Sequence, residues 1–182
     1  MFKLVSITLL IIAHSTICAF CIEEVSTIND LKIKMEFERK LTALKNQNKT
    51  SNPTDISNQL DAQYRISAKT IEPKKKIIQT SEIYRAAKTG VLCLGNIYKC
   101  DKCPNWHGNI AGGFVISKDG LAVTNFHVMK NEKAGAFGAL NIDGEIFSIE
   151  KVVASSEKDD LAIVKLKGEN FHPLPLKSNS PV

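Results

Sequence analysis

The chain has 182 residues, a formal net charge of +5 at pH 7 and a hydrophobic fraction of 43%. This length predicts about one domain. The charge is modest, and its densest run, Lys74-Lys75-Lys76, follows Pro73 without interleaved aromatic residues. This pattern indicates a solvated linker and no nucleic-acid partner.

Residues 1–21 have the pattern of a secretory signal peptide. A lone Lys3 precedes an apolar run from Leu4 to Ala13, and small residues follow. The run is shorter than the roughly 20 residues that cross a bilayer, so no stable membrane span is expected after signal cleavage. A lipoprotein anchor on Cys18 or Cys21 is a less favoured alternative. Export predicts a periplasmic or secreted protein in an oxidising compartment.

Residues 22–80 are predicted to form an N-terminal extension. Apolar residues recur at helical spacing among many charges up to about residue 48, which predicts one amphipathic helix. These residues include Leu31, Met35, Phe37, Leu41 and Leu44. Such a helix offers a surface for a homo-oligomer. Residues 49–80 are polar and predict a linker, with a short helix around Ile56 to Tyr64.

From Ser81 onwards the sequence pattern predicts a short helix followed by several β-strands. "SEIYRAAKTG" predicts a capped helix that ends at Gly90. Turn signals at Lys118-Asp119-Gly120 and Asp143-Gly144 predict two hairpins. Short strands with tight turns favour a mainly β barrel or sandwich. The predicted strands are Val91–Leu94, Gly113–Ser117, Leu121–Thr124, Ala139–Ile142, Glu145–Val153 and Leu161–Lys167.

One histidine, His127, lies just after a predicted buried strand. It is either a half-buried core histidine or a general base. A base needs a carboxylate that orients the imidazole, and the best candidate is Asp160, at the start of the last predicted strand. Asp159 would point to the opposite face if both residues lay in that strand.

The sequences "AGGFVISKDGLAVTNFHVMKN" and "VVASSEKDDLAIVKL" resemble the HtrA/Deg-type branch of the trypsin-like serine proteases. The motifs occur in the order of that branch. They are Gly112-Gly113-Phe114-Val115-Ile116, Asp119-Gly120, Thr124-Asn125-Phe126-His127-Val128 and Asp160-Leu161-Ala162. The resemblance implies that residues 81–182 form the first six-stranded antiparallel barrel of a chymotrypsin-like double barrel. It also implies that His127 and Asp160 are members of a Ser-His-Asp triad acting on polypeptides.

The nucleophile of that triad is absent from the sequence. In this family it lies in a glycine-flanked motif of the second barrel, whereas the serines after Asp160 are Ser178 and Ser180, with no adjacent glycine. We therefore expect an N-terminal portion of an exported serine endopeptidase that is inactive as it stands. The alternative is a non-catalytic pseudoprotease that acts as a binding or scaffold protein. A zinc hydrolase is a weaker option, because no H-E-x-x-H motif is present.

The stretch "CLGNIYKCDKCPNWH" contains three cysteines and a histidine. Export favours a disulfide among Cys93, Cys100 and Cys103, which would leave one thiol over. The odd count and His107 point instead to a Cys3His zinc site. We favour no metal and no other cofactor, with zinc as the alternative.

Overall fold

The computed structural model describes residues 29–61, 67–73 and 79–177. The predicted signal peptide and the Lys74-Lys75-Lys76 run lie outside these residues. The helices are α1 (Asp30–Asn46), α2 (Pro53–Asn58), α3 (Thr80–Ala87) and α4 (Phe126–Met129), with a 3-10 turn at Gln59–Asp61. The strands are β1 (Val91–Lys99), β2 (Trp106–Val115), β3 (Leu121–Thr124), β4 (Ala134–Asn141), β5 (Ile146–Ser156) and β6 (Leu161–Lys167). Among the described helices, none has the length and apolarity needed to cross a membrane.

The six strands close into an antiparallel barrel in the order β1-β2-β3-β6-β5-β4. The prediction of a mainly β fold with a six-stranded barrel after an N-terminal helix is confirmed. Both predicted hairpins are present as β2–β3 and β4–β5. Closure pairs the edge strands with each other, so the ring leaves no open edge.

Four strands, β1, β2, β4 and β5, are longer than their apolar runs predicted, and β1 and β2 differ most. β1 continues past Leu94 to Lys99, and β2 begins at Trp106, well before the predicted start at Gly113. The nine residue pairs between β1 and β2 satisfy backbone N–H and C=O groups, and this pairing does not depend on the type of side chain. Glycine is required within this pair, since a Cβ on Gly95 would lie 2.0 Å from the backbone carbonyl oxygen of Asn109.

The barrel core consists mainly of aliphatic and phenylalanine side chains that point inward. Its fully buried members include Leu94, Val115, Ile149, Val164 and Leu166. The segment after β6 adds Phe171, whose ring lies 5.0 Å from that of Phe147. The ring of Phe171 also covers Gly120, which has a φ of +88°, so this position favours glycine twice over.

Helix α1 packs against the outside of the barrel. Phe37 and Leu41 are fully buried there, in a cluster with Ile97, Ala136 and Leu140. Leu31 and Met35 share the helical spacing but remain 66% and 59% exposed, because the barrel covers only part of the apolar stripe. Homo-oligomerisation through α1 stays a prediction.

The predicted polar linker contributes to the core. The expected short helix is present as α2 and the 3-10 turn, and it buries Ile56 and Leu60 against the barrel interior. Gln59 Oε1 accepts a 2.7 Å hydrogen bond from the backbone N–H of Val152 in β5. This part of the extension is therefore packed on the barrel rather than a spacer.

Candidate active site

His127 lies on the single turn of helix α4, directly after β3. Phe126, Val128 and Met129 of this turn are buried in or against the barrel, whereas the His127 side chain is 69% exposed. Three apolar anchors around one polar residue therefore hold the imidazole outward. Sequence analysis placed His127 at the end of β3 but did not predict the helical turn.

A buried amide fixes α4 from the barrel side. Asn96 of β1 is fully buried, and its Nδ2 donates a 3.3 Å hydrogen bond to the carbonyl oxygen of Val128. Its Oδ1 accepts a 2.8 Å hydrogen bond from Asn131 Nδ2. Because a buried polar group is costly without partners, these bonds restrict the position of α4.

Asp160 reaches His127 from the turn between β5 and β6. Its φ is +49°, in the left-handed region that aspartate tolerates better than most residues, and its N–H donates to the Glu157 carbonyl at 3.2 Å. The neighbouring Asp159 accepts a 2.6 Å hydrogen bond from Ser156 Oγ. The strand-based argument that Asp159 and Asp160 point to opposite faces therefore does not apply, since both residues lie in the turn.

The Asp160 carboxylate binds both the backbone and the ring of His127. Oδ1 accepts from the His127 backbone N–H at 3.0 Å, and the carboxylate oxygens lie 3.0 and 2.8 Å from Nδ1. A carboxylate only accepts, so these contacts place the imidazole proton on Nδ1. They also satisfy one of the unpaired N–H groups at the start of α4.

The hydrogen bond from the His127 backbone N–H is the main cause that lowers the pKa of Asp160 below its ordinary value. Partial burial opposes this shift, and the His127 ring and the Asn125 amide add to the lowering. Asp160 is therefore held as the anion that the imidazole requires.

Asn125 is a further positioning residue to which sequence analysis gave no role. Its Nδ2 donates to Asp160 Oδ2 at 3.1 Å and to the Asp160 carbonyl at 3.3 Å. The T-N-x-H-V motif contained this residue, but its partner lies 35 residues away in the chain. Spacing alone cannot indicate such a contact.

The other ring nitrogen of His127, Nε2, has no hydrogen-bond partner among residues 29–61, 67–73 and 79–177. With the proton on Nδ1, the Nε2 lone pair is free to accept a proton. Ser178 and Ser180 lie outside the described residues. The described part of the chain thus has an imidazole oriented by a carboxylate, and it has no hydroxyl hydrogen-bonded to that imidazole.

The three cysteines that the structure describes, Cys93, Cys100 and Cys103, lie in two places. Cys100 Sγ, Cys103 Sγ and His107 Nε2 come together, all within 4.8 Å of one another, where β1 turns into β2. Cys93 lies in β1 opposite Gly112 and packs with the cluster under α1. All three cysteines are free thiols, and burial raises the pKa of Cys93 to about 11. The backbone N–H of Lys102, followed by the thiol of Cys103, lowers the pKa of Cys100.

The trypsin-like peptidase domain family matches residues 111–182 of this chain. The match begins within β2 and includes His127 and Asp160. It covers the barrel strands from that point onwards and leaves α1, α2, α3 and β1 outside.

Curated relatives each match about a third of the chain. The probable periplasmic serine endoprotease DegP-like of Chlamydia muridarum is 38% identical over 59 residues, which are 32% of this chain and 11% of that protein. The serine endoprotease DegS of Haemophilus influenzae is 33% identical over 70 residues, which are 38% of this chain and 20% of that protein. This chain thus aligns with a tenth to a fifth of each relative's length. The resemblance to trypsin-like proteases of the HtrA type is confirmed.

Among solved structures, the serine endoprotease from Yersinia pestis is similar to this chain with a TM-score of 0.43 and 21% identity. The similarity covers 57% of this chain and 35% of that one.

Proposed function

We propose that this chain provides the histidine and aspartate of an exported trypsin-like serine endopeptidase. The proposal depends on one observation: Asp160 accepts hydrogen bonds from both the backbone N–H and Nδ1 of His127, which leaves Nε2 free. This is the arrangement that a general base requires, because the base must be held in one tautomer with its accepting nitrogen exposed. Relatives that match about a third of this chain are named serine endoproteases.

In the proposed reaction, His127 Nε2 takes the proton of a serine hydroxyl as the serine oxygen bonds to the scissile carbonyl carbon. The imidazolium then gives this proton to the leaving amine as the peptide C–N bond breaks. Asp160 stays ionised throughout and stabilises the imidazolium through Nδ1. Asn125 holds the carboxylate in place from the other side.

The nucleophile and the oxyanion hole are proposed to come from a second barrel. None of the serines after Asp160 in the sequence has a glycine beside it, so none can form a glycine-flanked nucleophile loop. The 182 residues by themselves are therefore expected to form no acyl-enzyme. The substrate is a polypeptide, whose side-chain preference would be set in that second barrel.

The first test reads the His127 tautomer in the chain itself. Nitrogen-15 NMR of the imidazole at neutral pH should show the proton on Nδ1. Asp160→Asn should give a mixture of tautomers, because an amide can donate as well as accept. Asparagine also tolerates the left-handed φ of this turn. Asp159→Asn is the matched control and should leave the ring spectrum unchanged. A mixed tautomer in the unsubstituted chain would refute the oriented base.

The second test concerns the nucleophile. The coding DNA past Val182 is sequenced, and its product is treated with a fluorophosphonate serine probe. Labelling that requires both His127 and a glycine-flanked serine supports the protease. A stop codon directly after Val182 would favour the alternative, a pseudoprotease that acts as a binding or scaffold protein.

Export is part of the proposal and has its own readout. It rests on the predicted signal peptide of residues 1–21 and on relatives whose names describe them as periplasmic. Intact mass of the protein from the exported fraction should show an N-terminus shortened by this segment. Retention of Met1 to Cys21 in that fraction would contradict the predicted cleavage.

A further inference from the structure

The hairpin between β1 and β2 brings three metal-binding side chains together. Cys100 directly follows the last residue of β1, Cys103 lies in the connecting loop, and His107 is the second residue of β2. The strand register pairs Tyr98 with His107 and Lys99 with Trp106, so the loop closes over His107. The Lys99 ammonium donates to the Pro104 carbonyl at 2.9 Å and ties the loop to the strand.

The separations of the ligand atoms fit one small ion. Cys100 Sγ lies 3.5 Å from Cys103 Sγ and 3.3 Å from His107 Nε2, and Cys103 Sγ lies 3.0 Å from the same nitrogen. In a tetrahedral site with Zn–S bonds of about 2.3 Å and a Zn–N bond of about 2.0 Å, two sulfurs lie about 3.8 Å apart and sulfur and nitrogen about 3.5 Å apart. Each observed separation is within about 0.5 Å of these edges.

A disulfide does not describe this arrangement. The two sulfurs of a disulfide are about 2.05 Å apart, well below the separation of Cys100 and Cys103. A disulfide would also not account for His107 Nε2, which lies 3.3 and 3.0 Å from the two sulfurs. The ring is held there by the strand pairing and by Tyr98, whose ring centroid lies 5.8 Å away.

We propose that Cys100 Sγ, Cys103 Sγ and His107 Nε2 bind one Zn²⁺ ion, with a solvent molecule as the fourth ligand. Two thiolates and one imidazole are the donors that zinc prefers in proteins. Binding releases the two thiol protons to solvent, so the thiolate charges balance the charge of the ion. The loop is solvent-accessible, which provides an entry path and the fourth ligand.

Cys93 takes no part in this site. It lies seven residues before Cys100, which along a strand is about 23 Å, and its side chain packs among apolar groups. The Cys3His set that the sequence suggested is therefore replaced by a Cys2His set. The site shares no residue with the His127–Asp160 pair and goes beyond the proposed protease function.

The ion would link the end of β1 to the start of β2, the strand pair with the most paired residues in the barrel. The next residue of β2, Gly108, donates its N–H to Glu38 of α1 at 2.6 Å. The indole of Trp106 packs with the apolar cluster under α1. A metal at this end of the strand pair thus stabilises the surface on which α1 rests.

The test measures bound metal in the purified full chain. Elemental analysis after purification with a reductant and added zinc should give roughly one zinc per chain. Cys100→Ser and Cys103→Ser should each reduce this content to near zero, as should His107→Ala. The matched controls Cys93→Ser and His172→Ala should keep it. Zinc content that is the same in all five variants would overturn the assignment.

Cobalt substitution adds a spectroscopic measurement of the ligand set. The Co²⁺ form should show the d–d bands of a tetrahedral ion and thiolate charge-transfer absorption, and this absorption should fall by half or more in Cys100→Ser. Circular dichroism checks that each variant is folded. Mass spectrometry that finds the reduced chain metal-free after zinc addition, or finds a Cys100–Cys103 disulfide that excludes zinc, would overturn the proposal. Neither result bears on His127.

Discussion

The His127–Asp160 pair and the Cys100–Cys103–His107 cluster are built in different ways. The members of the pair lie 33 residues apart in the chain and meet because β3 and β6 are neighbours in the barrel. The members of the cluster lie within seven residues of one another and meet because one hairpin closes over itself. The pair thus depends on the whole barrel, whereas the cluster depends mainly on local register.

The difference extends to how each group is oriented. Asp160 and His127 are held by a backbone hydrogen bond, by the Asn125 amide and by the buried neighbours of His127 on α4. The cysteines are held by the loop that carries them. The role proposed for His127 requires one ring orientation and one tautomer, and the additional contacts that fix them come from distant parts of the chain.

The largest expected effect follows from breaking the orientation of the pair. In a form of the protein that includes the nucleophile, Asp160→Asn should lower kcat by about 10⁴-fold, because the imidazole loses its fixed tautomer. Asp159→Asn in the same turn should leave kcat nearly unchanged. Peptide hydrolysis under saturating substrate measures both. Equal effects of the two substitutions would show that the turn, rather than the Asp160 carboxylate, is what matters.

The next effect tests whether helix α1 of the extension stabilises the barrel. Leu41→Ala on α1 should lower the free energy of unfolding by about 3–5 kcal/mol, because it leaves a cavity against the barrel. Leu31→Ala on the same helix is the matched control, and its 66% exposed side chain predicts a change within about 0.5 kcal/mol. Urea denaturation measures both. Similar values for the two variants would show that α1 does not unfold cooperatively with the barrel.

A smaller effect concerns the charge on Asp160. Its pKa is lowered in the folded protein, so its contribution to stability is present above the pKa of the unfolded chain and is lost as the pH falls through the folded pKa. In this acidic window the unfolded state binds more protons, and stability rises with pH. Asp119 and Glu36 also have lowered pKa values, from Lys165 and Lys40 respectively, and contribute in the same direction.

Comparison with Asp160→Asn isolates the contribution of this carboxylate. The free energy of unfolding, measured from neutral to strongly acidic pH, should fall less steeply in the variant than in the unsubstituted chain. Parallel profiles would mean that Asp160 loses no interaction on protonation.

The smallest effect is expected at the surface beside the pair. Lys130 and Glu157 form a 2.8 Å ion pair with side chains 60% and 69% exposed. Water and salt screen such a pair, so Lys130→Ala should leave the urea midpoint unchanged within error. The His127 ring spectrum should also stay the same. A shift in that spectrum would mean that this ion pair helps to place the β5–β6 turn.

Much of the architecture could be predicted because strands and tight turns depend largely on residues that are close together in the sequence. Alternating apolar runs and Asp-Gly turns predicted two hairpins and six strands, with β3 and β6 at their observed bounds. Strand ends such as Lys99 and Trp106 were missed, since pairing rather than side-chain pattern extends β1 and β2. Ile56 and Leu60 were assigned to a linker because they are isolated apolar residues among polar neighbours and form no apolar run in the sequence.

The sequence by itself determined which residues are available for chemistry: a histidine after a buried strand, an aspartate before another, and a Cys-x-x-Cys with a nearby histidine. Tertiary structure decided that His127 and Asp160 meet, whereas the register of one hairpin brings Cys100, Cys103 and His107 together. Barrel closure placed the Asp160 turn beside α4 and added Asn125 and Asn96, whose partners are 35 and 32 residues away. Strand register separated Cys93 from the other two cysteines. Contacts across the barrel depend on the pairing of all six strands, which no short window of sequence encodes.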